Sequence, residues 1–365
     1  MILRRYVMNE FLRSFAMIIG ALVIIYFSTR FATYLGQAAE GKLAPAHISK
    51  MLLLRMLVSL KDLIPMSLYL GVFAAVIRLQ RDLELTAMRA AGAGHHLMLV
   101  SAAYISVVAA LLVGTITLYA EPRAEEVFQE LKDQTQSEAT IAGVKAGRFK
   151  EMSGGKRIFY AETVGTDEKT LKNAFVQARD GTEVGLMHSN DAFIETDKKN
   201  GDRFAVFLNG ISYAGAPGAL DYVVTHFSKY ALRIEERLPT DLSNQVNYMP
   251  TPALFMFDSP GFKAELQWRF ATPVATFLLP LLAVLFGMTA SGSSWYLNLI
   301  TAVAGYFVYN NTLGVAKALV RKGALPPSIG LWIVHVVLVL LIAGFLWYQR
   351  HPRQRRPKLK HALPT

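Results

Sequence analysis

The sequence predicts an α-helical polytopic membrane protein with six transmembrane helices and an antiparallel β domain outside the membrane. Of its 365 residues, 53% are hydrophobic and only 18% are charged, whereas an average soluble domain has about 25% charged residues. Six apolar segments are long enough to cross a bilayer, and one long polar insert, residues 121–268, separates them into two groups of three. These observations exclude an ordinary soluble domain.

The six predicted spans differ in their charge. A helix needs about 20 mostly apolar residues to cross a hydrocarbon core of about 30 Å. The uncharged spans are 97–120, 270–290, 295–316 and 329–348; the charged spans are 14–39, which contains Arg30, and 52–79, which contains Arg55, Lys61 and Asp62. A cleaved signal peptide is the alternative for the first span, but no small-residue cleavage site follows it.

The Lys and Arg residues in short loops predict the orientation, because cytoplasmic loops hold the excess of them. With six spans, both termini lie on one side of the membrane, and that side carries 12 basic residues. The opposite side carries nine when the insert is left out. We therefore expect cytoplasmic termini, a basic cytoplasmic tail at 350–365 and an insert on the outer side, since a long translocated domain is not bound by the charge rule.

The formal net charge of +11 belongs to the membrane part of the chain. The insert contains 17 basic and 22 acidic residues, so the remainder contains 21 basic and only 5 acidic residues. A nucleic-acid-binding protein normally carries its basic residues on the folded polar domain, and this function is therefore disfavoured. The chain has no cysteine, which excludes disulfides, thiolate metal sites and cysteine nucleophiles.

The insert is long enough to fold as a domain of its own. It begins with an amphipathic helical segment, 121–138, and continues with short segments of β-forming residues between turn signals. Two hairpins are predicted: the turn 153–155 pairs 147–152 with 157–164, and the turn Asn200-Gly201 pairs 192–196 with 203–208. A further turn is predicted at Asp180-Gly181 and a further strand at 220–230. This pattern predicts an antiparallel sandwich or jelly roll. Composition does not decide whether its interior holds an acyl chain or the domain is only a structural cap.

No motif for catalysis or cofactor binding is present in the sequence. Gly155-Lys156 lacks the earlier glycine of a Walker A loop, since position 150 is Lys. The eight His are scattered without a His-Glu-x-x-His pattern, and the adjacent His95 and His96 point in different directions on a helix. We therefore predict no catalytic residue, no metal site and no cofactor, and an intramembrane enzyme is the least favoured class.

The segment 78–94, between the second and third spans, is predicted to form a short amphipathic helix in the cytoplasm. It is too short and too charged to cross the bilayer, and Gly92 and Gly94 end it. Its apolar residues Leu79, Leu83, Ala87 and Ala90 recur at helical spacing, with Arg81, Asp82, Glu84 and Arg89 on the remaining surface. This helix either lies on the lipid surface or docks a soluble partner, and its spacing does not separate these interpretations.

Six basic residues on the outer side of the membrane part form a predicted cationic rim: Arg30, Arg55, Lys61, Lys317, Arg321 and Lys322. A charged side chain at the centre of a spanning helix costs about 2.5–3.5 kcal/mol on insertion scales. The cations within the spans are thus either retained for a function or reach the interface by snorkelling, and Asp62 is placed to pair with one of them. We hypothesise that the rim binds the phosphates of an anionic headgroup presented from the outer leaflet.

Five segments of the chain are similar to one family of membrane proteins. They are 1–5, 34–36, 64–71, 84–92 and 265–269, and the most specific are 64–71, with the sequence IPMSLYLG, and 84–92, with the sequence ELTAMRAAG. Over nearly its whole length the chain resembles the LptF/LptG permeases of Gram-negative lipopolysaccharide export, and the LptF branch more than the LptG branch. One departure is the loop 291–294, which carries no charge where relatives have basic residues.

The resemblance implies six spans per subunit and a periplasmic β-jellyroll between spans three and four, in the bacterial inner membrane. It also implies a paralogous permease, LptG, a cytosolic LptB ATPase dimer that binds the ATP, and the periplasmic jellyroll proteins LptC and LptA. The ATPase would grip the helix around Glu84, which favours the docking interpretation of 78–94. The ATPase-coupling residues that this likeness implies are Arg81, Asp82, Glu84, Met88 and Arg89.

The predicted function is that of a permease subunit of an ATP-driven exporter, which extracts lipopolysaccharide from the periplasmic leaflet of the inner membrane and passes it to a periplasmic bridge. Its predicted domains are 1–120, 121–268, 269–349 and the tail 350–365. The alternative is a non-transporting scaffold or sensor whose β domain binds a periplasmic partner. Lipoprotein-releasing and mechanotransmission permeases are disfavoured, because they place their large domain after the first of four spans.

Overall fold

The computed structural model divides the chain into two compact units, which are described separately. The residues that the structure describes are 2–39, 43, 45–93, 95–142, 147–152, 157–165, 170–180, 183–196, 203–216, 222–235, 246–289 and 295–350. The helical unit comprises Met1–Phe27, Leu54–Glu125 and Val246–Thr365, and the sheet unit comprises Ser28–Leu53 and Glu126–Gln245. The uncharged loop 291–294 and the predicted tail beyond residue 350 lie outside the described residues.

All six predicted spans form helices. The helices are α1 (Ile2–Ala39), α2 (Ile48–Arg81), α3 (Glu84–Ala90), α4 (His95–Thr115), α5 (Glu121–Ala142), α6 (Thr251–Leu254), α7 (Pro260–Thr289), α8 (Trp295–Arg321) and α9 (Trp332–Arg350). A π-helical turn, Ile116–Ala120, joins α4 to α5. At 1.5 Å per residue, the 38 residues of α1 span about 57 Å, so this helix extends well beyond a hydrocarbon core.

Four helical stretches among the described residues are long and apolar enough to cross a membrane: Ile2–Ala39, Pro45–Arg81, His95–Lys132 and Pro260–Thr289. The predicted count of six is not confirmed. In α8, the amides of Asn298, Asn310 and Asn311 lower the mean hydropathy. The described apolar stretch of α9 is Trp332–Trp347, and it begins after a turn in which the backbone N–H groups of Ile329 and Gly330 bond the carbonyl of Pro326.

The core of the helical unit forms around the second half of α2. Apolar side chains of α2, including Leu68, Phe73 and Val76, are buried together with side chains of α1, α4, α7, α8 and α9. The crossing of α1 and α2 is close, since a Cβ atom on Gly71 would lie 2.8 Å from the backbone Cα of Phe15. The last residue of the IPMSLYLG segment is therefore a glycine for steric reasons.

The sheet unit contains one antiparallel sheet. Its strands are β1 (Lys150–Met152), β2 (Arg157–Val164), β3 (Thr170–Asp180), β4 (Glu183–Thr196), β5 (Arg203–Gly215) and β6 (Val223–Glu235), in spatial order β1 to β6. Both predicted hairpins are confirmed by the pairing of β1 with β2 and of β4 with β5. The jelly roll is not confirmed: the described strands form a single meander, because each turn joins strands that are neighbours in sequence.

The sheet is interrupted along one row that crosses the strands. Register pairs are absent at the same transverse position on five successive strands, at Glu162, Asn173, Asn190, Asn209 and Ser228. These five residues are polar and exposed, and the second and fourth have positive φ angles of 48° and 50°. The register is the same on both sides of this row, so the missing pairs interrupt the ladder without inserting a residue.

The sheet unit has a buried core of its own. Its buried cluster consists of strand residues, including Phe159, Val176 and Phe207. Small residues stand beside the interrupted row, where Ala161 and Ala174 are almost completely buried.

Candidate functional site

The predicted docking helix is divided in the structure. α3 begins only at Glu84, because Leu83 adopts a left-handed conformation with a φ of 60°. This residue shifts the helical phase, so that Leu85 and Met88 are buried while Leu83 is exposed. Of the four apolar residues predicted to form one helix face, only Leu79 is buried. The predicted face is therefore wrong after Leu79. The two remaining members, Ala87 and Ala90, are also exposed.

The amino-terminal end of α1 is attached to α2 and α3 by polar contacts. The hydroxyl of Tyr6 donates to Oε2 of Glu84 at 2.6 Å. Glu10 is buried, and its Oε2 lies 2.6 Å from Nη2 of Arg78 at the end of α2. Its other oxygen lies 3.4 Å from Nη1 of Arg13. The sequence analysis assigned no role to Tyr6 or Glu10.

The remaining predicted ATPase-coupling residues divide into exposed and buried. Arg81, Asp82 and Arg89 are exposed, and the Asp82 carboxylate lies 3.8 Å from Nε of Arg81. Met88 is buried and packs into the core cluster of the helical unit. α3 is thus held by apolar side chains on one face and presents charged groups on the other.

The predicted cationic rim contains carboxylates that the sequence analysis did not assign. Nη1 of Arg55 lies 2.5 Å from Oε1 of Glu125, and Lys61 forms an ion pair with Glu121. Because Glu121 and Glu125 are one turn apart on α5, they meet two cations of α2 on one face. This i, i+4 acidic pair directly after the third span was the signal that could have revealed the pairing.

The other predicted rim residues lie on α8, beside it and on α1. Nζ of Lys317 lies 2.7 Å from Oε2 of Glu265. Arg321 and Lys322 are exposed at the end of α8, and no ion pair involves them among the residues that the structure describes. Arg30 also has an interaction within the chain, and it belongs to the part of α1 that lies in the sheet unit.

Arg269 is the most completely buried charged residue of the described chain, with 0% of its surface exposed. Its Nε lies 3.2 Å from Oε1 of Glu265. The other guanidinium nitrogens donate to residues 246–251, which we call the strap because they bring the chain back from the sheet unit. The partners are the carbonyls of Val246, Asn247 and Met249 at 3.3, 3.0 and 2.9 Å and the hydroxyl of Thr251 at 2.9 Å. All five N–H groups of the guanidinium thus have partners.

The other residues of the 265–269 segment extend these contacts to α8 and α9. Nζ of Lys317 lies 4.6 Å from the centre of the Trp268 ring, a cation–π distance. The side-chain amide of Gln267 donates to the carbonyl of Pro327 and accepts from the backbone N–H of Leu331 at 3.1 Å. One five-residue segment therefore joins α7 to the strap, to α8 and to the turn before α9.

Two threonines attach the strap and α7 to the π-helical turn. The hydroxyl of Thr251 donates to the carbonyl of Leu118 at 2.7 Å. The hydroxyl of Thr117 lies 3.2 Å from the carbonyl of Arg269. Thr251 of the strap thus bonds a carbonyl of the π-helical turn, and Thr117 of the turn bonds a carbonyl of α7.

A small cavity lies between α2, α7 and α8. Its volume is about 20 Å³, enough for about one water molecule and far below the roughly 300–1,000 Å³ of pockets for small molecules. The lining includes Lys61 and Asp62 of α2, Trp268 of α7, and Tyr306 and Asn310 of α8. Lys61 and Trp268 therefore line the same cavity, and Trp268 also contacts Lys317.

The family model for the lipopolysaccharide export system permease LptF/LptG matches residues 5–349. The chain belongs to this family. It is 23% identical over 349 residues to the lipopolysaccharide export system permease protein LptF of Escherichia coli (strain K12), with 95% of each chain covered, and equally to the protein of that name from Shigella flexneri. The LptF/LptG resemblance of the sequence is thus confirmed, and the apolar helices fit a transmembrane permease of lipopolysaccharide export.

Proposed function

We propose that this LptF/LptG-family chain is the permease subunit of an ATP-driven exporter. It extracts lipopolysaccharide from the periplasmic leaflet of the inner membrane and passes it to a periplasmic bridge. In this proposal, all six predicted spans cross the membrane, the termini are cytoplasmic and the sheet unit is periplasmic. The family match over residues 5–349 is the observation that carries the proposal.

ATP hydrolysis belongs to a separate subunit in this proposal. The chain holds no cofactor and no catalytic residue, and a cytosolic LptB dimer supplies the ATPase. α3 suits a docking role because its apolar face is buried and its charged face is exposed. Glu84 stands at the start of this helix, where its carboxylate has one exposed hydrogen bond and remains accessible to a partner cation.

The proposed lipid site is the cationic rim, with phosphate-binding roles for Arg30, Arg55, Lys61, Lys317, Arg321 and Lys322. The residues at the end of α8 are the most accessible of them. At Arg55 and Lys61, a phosphate would compete with the carboxylates of Glu125 and Glu121. The observed ion pairs thus favour the end of α8 as the first phosphate contact.

The proposed exit is an edge of the sheet, where the periplasmic proteins LptC and LptA would continue it. Among the strands that the structure describes, β6 is an edge strand of 13 residues, about 44 Å long, and the opposite edge strand, β1, has only 3 residues. Val223 and Val224 of β6 are exposed. A long edge with apolar side chains is suited to strand addition by a partner. LptG would be the second permease subunit.

Copurification from native membranes tests the proposal. We expect a cytosolic ATPase, a second permease of the same family and bound lipopolysaccharide to be identified by mass spectrometry, and the complex to hydrolyse ATP. Isolation with a periplasmic protein but without ATPase and lipopolysaccharide would instead support the scaffold or sensor alternative.

A further inference from the structure

The two cations that share Glu265 are held very differently. Arg269 is completely buried and has all its donors occupied. Lys317 keeps 27% of its side chain exposed, and its ammonium has Glu265 and the ring of Trp268 as neighbours. An ammonium carries three donors on a flexible stem, so Lys317 is the partner that can leave.

The departure of Lys317 does not leave a buried charge alone. Glu265 has 5% of its side chain exposed, and an unpaired carboxylate in that position would be strongly disfavoured. Its contact with Arg269 within the same helix remains when Lys317 moves away. A phosphate offers more acceptor oxygens and more negative charge than a carboxylate, and it can therefore replace Glu265 as the partner of the ammonium.

Lys317 also stands where its release would change helix packing. It lies near the end of α8, and both its ion-pair partner Glu265 and its ring partner Trp268 are on α7. Trp268 in turn lines the cavity between α2, α7 and α8. The Lys317 contacts thus close α8 onto α7 beside a cavity that already contains polar groups.

We propose that Lys317 is a latch with two alternative partners. With Glu265 as partner it holds α8 against α7; a lipid phosphate that takes the ammonium releases α8 and widens the cavity between α2, α7 and α8. The inference rests on the proposed function, because it assigns to lipid phosphate the step that opens this packing. It makes Lys317 a sensor of the substrate as well as a contact for it.

Distance measurements between two spin labels test the latch directly. The chain has no cysteine, so Phe270→Cys on α7 and Val315→Cys on α8, both at exposed positions, introduce the only labelling sites in this subunit. The labelled subunit is studied by pulsed electron paramagnetic resonance in its copurified complex, with cysteine-free partners, in lipid nanodiscs. The probes are lipid A with both phosphates and the same lipid A after its phosphates are removed.

We expect one distance without lipid A, a second and longer distance with phosphorylated lipid A, and no second distance with the dephosphorylated form. Lys317→Gln should show the longer distance without any lipid, and Lys317→Arg should restore the single short one. Lys263→Gln is the matched control, since this cation lies on α7 near Glu265 in sequence but pairs with Asp258; its response should equal that of the unmodified chain.

Two results would overturn the latch: a Lys317→Gln variant that keeps the short distance, or an unmodified chain whose distance does not change when phosphorylated lipid A is shown to be bound. The proposed function fails by a different observation, namely a purified complex that has no ATPase or binds no lipid A. If the complex binds lipid A and hydrolyses ATP but shows no distance change, the latch is contradicted and the proposed function is not.

Discussion

Charged side chains serve opposite purposes in two regions of the helical unit. Around the strap, Arg269 and Glu265 are buried and saturated with hydrogen bonds. Around α3, Arg81 and Asp82 are exposed and lie at the limit of ion-pair distance. A buried charge whose partner is removed destabilises a protein strongly, whereas exposed pairs contribute little to stability. The first region therefore holds the fold, and the second has charges available for another molecule.

The largest effect is expected from Arg269→Ala. The substitution leaves Oε1 of Glu265, three strap carbonyls and the Thr251 hydroxyl without their donor, while Lys317 still contacts the other oxygen of Glu265. Removing one partner of a buried pair costs about 3–5 kcal/mol, a large share of a typical stability of about 5–15 kcal/mol. We expect a strongly lowered midpoint of thermal unfolding in detergent. Lys263→Ala, which removes a partly exposed cation of the same helix, is the control. Equal midpoints for the two variants would contradict the stabilising role of Arg269.

Gly71→Ala should destabilise the protein by a smaller amount. The new methyl group would lie 2.8 Å from backbone atoms of Phe15, which cannot move aside as a side chain does. Overpacking of this kind costs about 1–3 kcal/mol. Gly20→Ala on α1, where no atom lies within 4 Å, should not destabilise. The thermal midpoints of the two variants are compared, and a loss in both would indicate that the α1–α2 crossing is not the cause.

Glu84→Ala should leave the fold intact and weaken the interaction with the ATPase. A hydrogen bond to a charged group is worth about 1.5–3 kcal/mol, which corresponds to roughly a tenfold or greater loss of affinity. We expect an unchanged thermal midpoint, less copurified ATPase and lower ATP hydrolysis by the complex. Glu130→Ala, which removes an exposed carboxylate of the sheet unit, is the control, and we expect this variant to copurify with as much ATPase as the unmodified chain. Normal export and ATPase activity in Glu84→Ala would speak against the docking role.

The smallest effect is expected from Tyr6→Phe, which removes one exposed hydrogen bond to Glu84 and keeps the ring. The thermal midpoint should stay within error of the unmodified chain. If α1 positions Glu84 for its partner, the ATPase activity per bound ATPase should fall modestly, and the same substitution in a Glu84→Ala background should have no further effect. An additive loss in the double variant would show that Tyr6 acts elsewhere.

Local features of the fold could be predicted from the sequence because their causes are local. The apolar runs gave the helices, and the turn residues near 153–155 and 200–201 gave two hairpins in their observed pairing. The phase of α3 could not be predicted, because it depends on the left-handed conformation of a single residue, Leu83. The regular period that predicted the stripe assumes an unbroken helix.

The candidate site was only partly visible in the sequence. Its cations could be listed, but their carboxylate partners are 52, 60 and 70 residues away, at Glu265, Glu121 and Glu125. The 265–269 segment was recognised by resemblance alone, and its contacts with the strap, α8 and the turn before α9 explain it only after the helices are packed.

The sequence by itself determined that the chain is a membrane protein with a polar β insert, which residues form its helices, and which family it resembles. The length of an apolar segment, the residues of a turn and short motifs are local features, so they can be recognised in the sequence alone. Only the tertiary structure decided which charges are neutralised, which residue fastens the strap, and where α3 turns its apolar face. These properties depend on which helix ends become neighbours, because an ion pair or a buried hydrogen bond needs its partner within about 4 Å in space, whatever the separation along the chain.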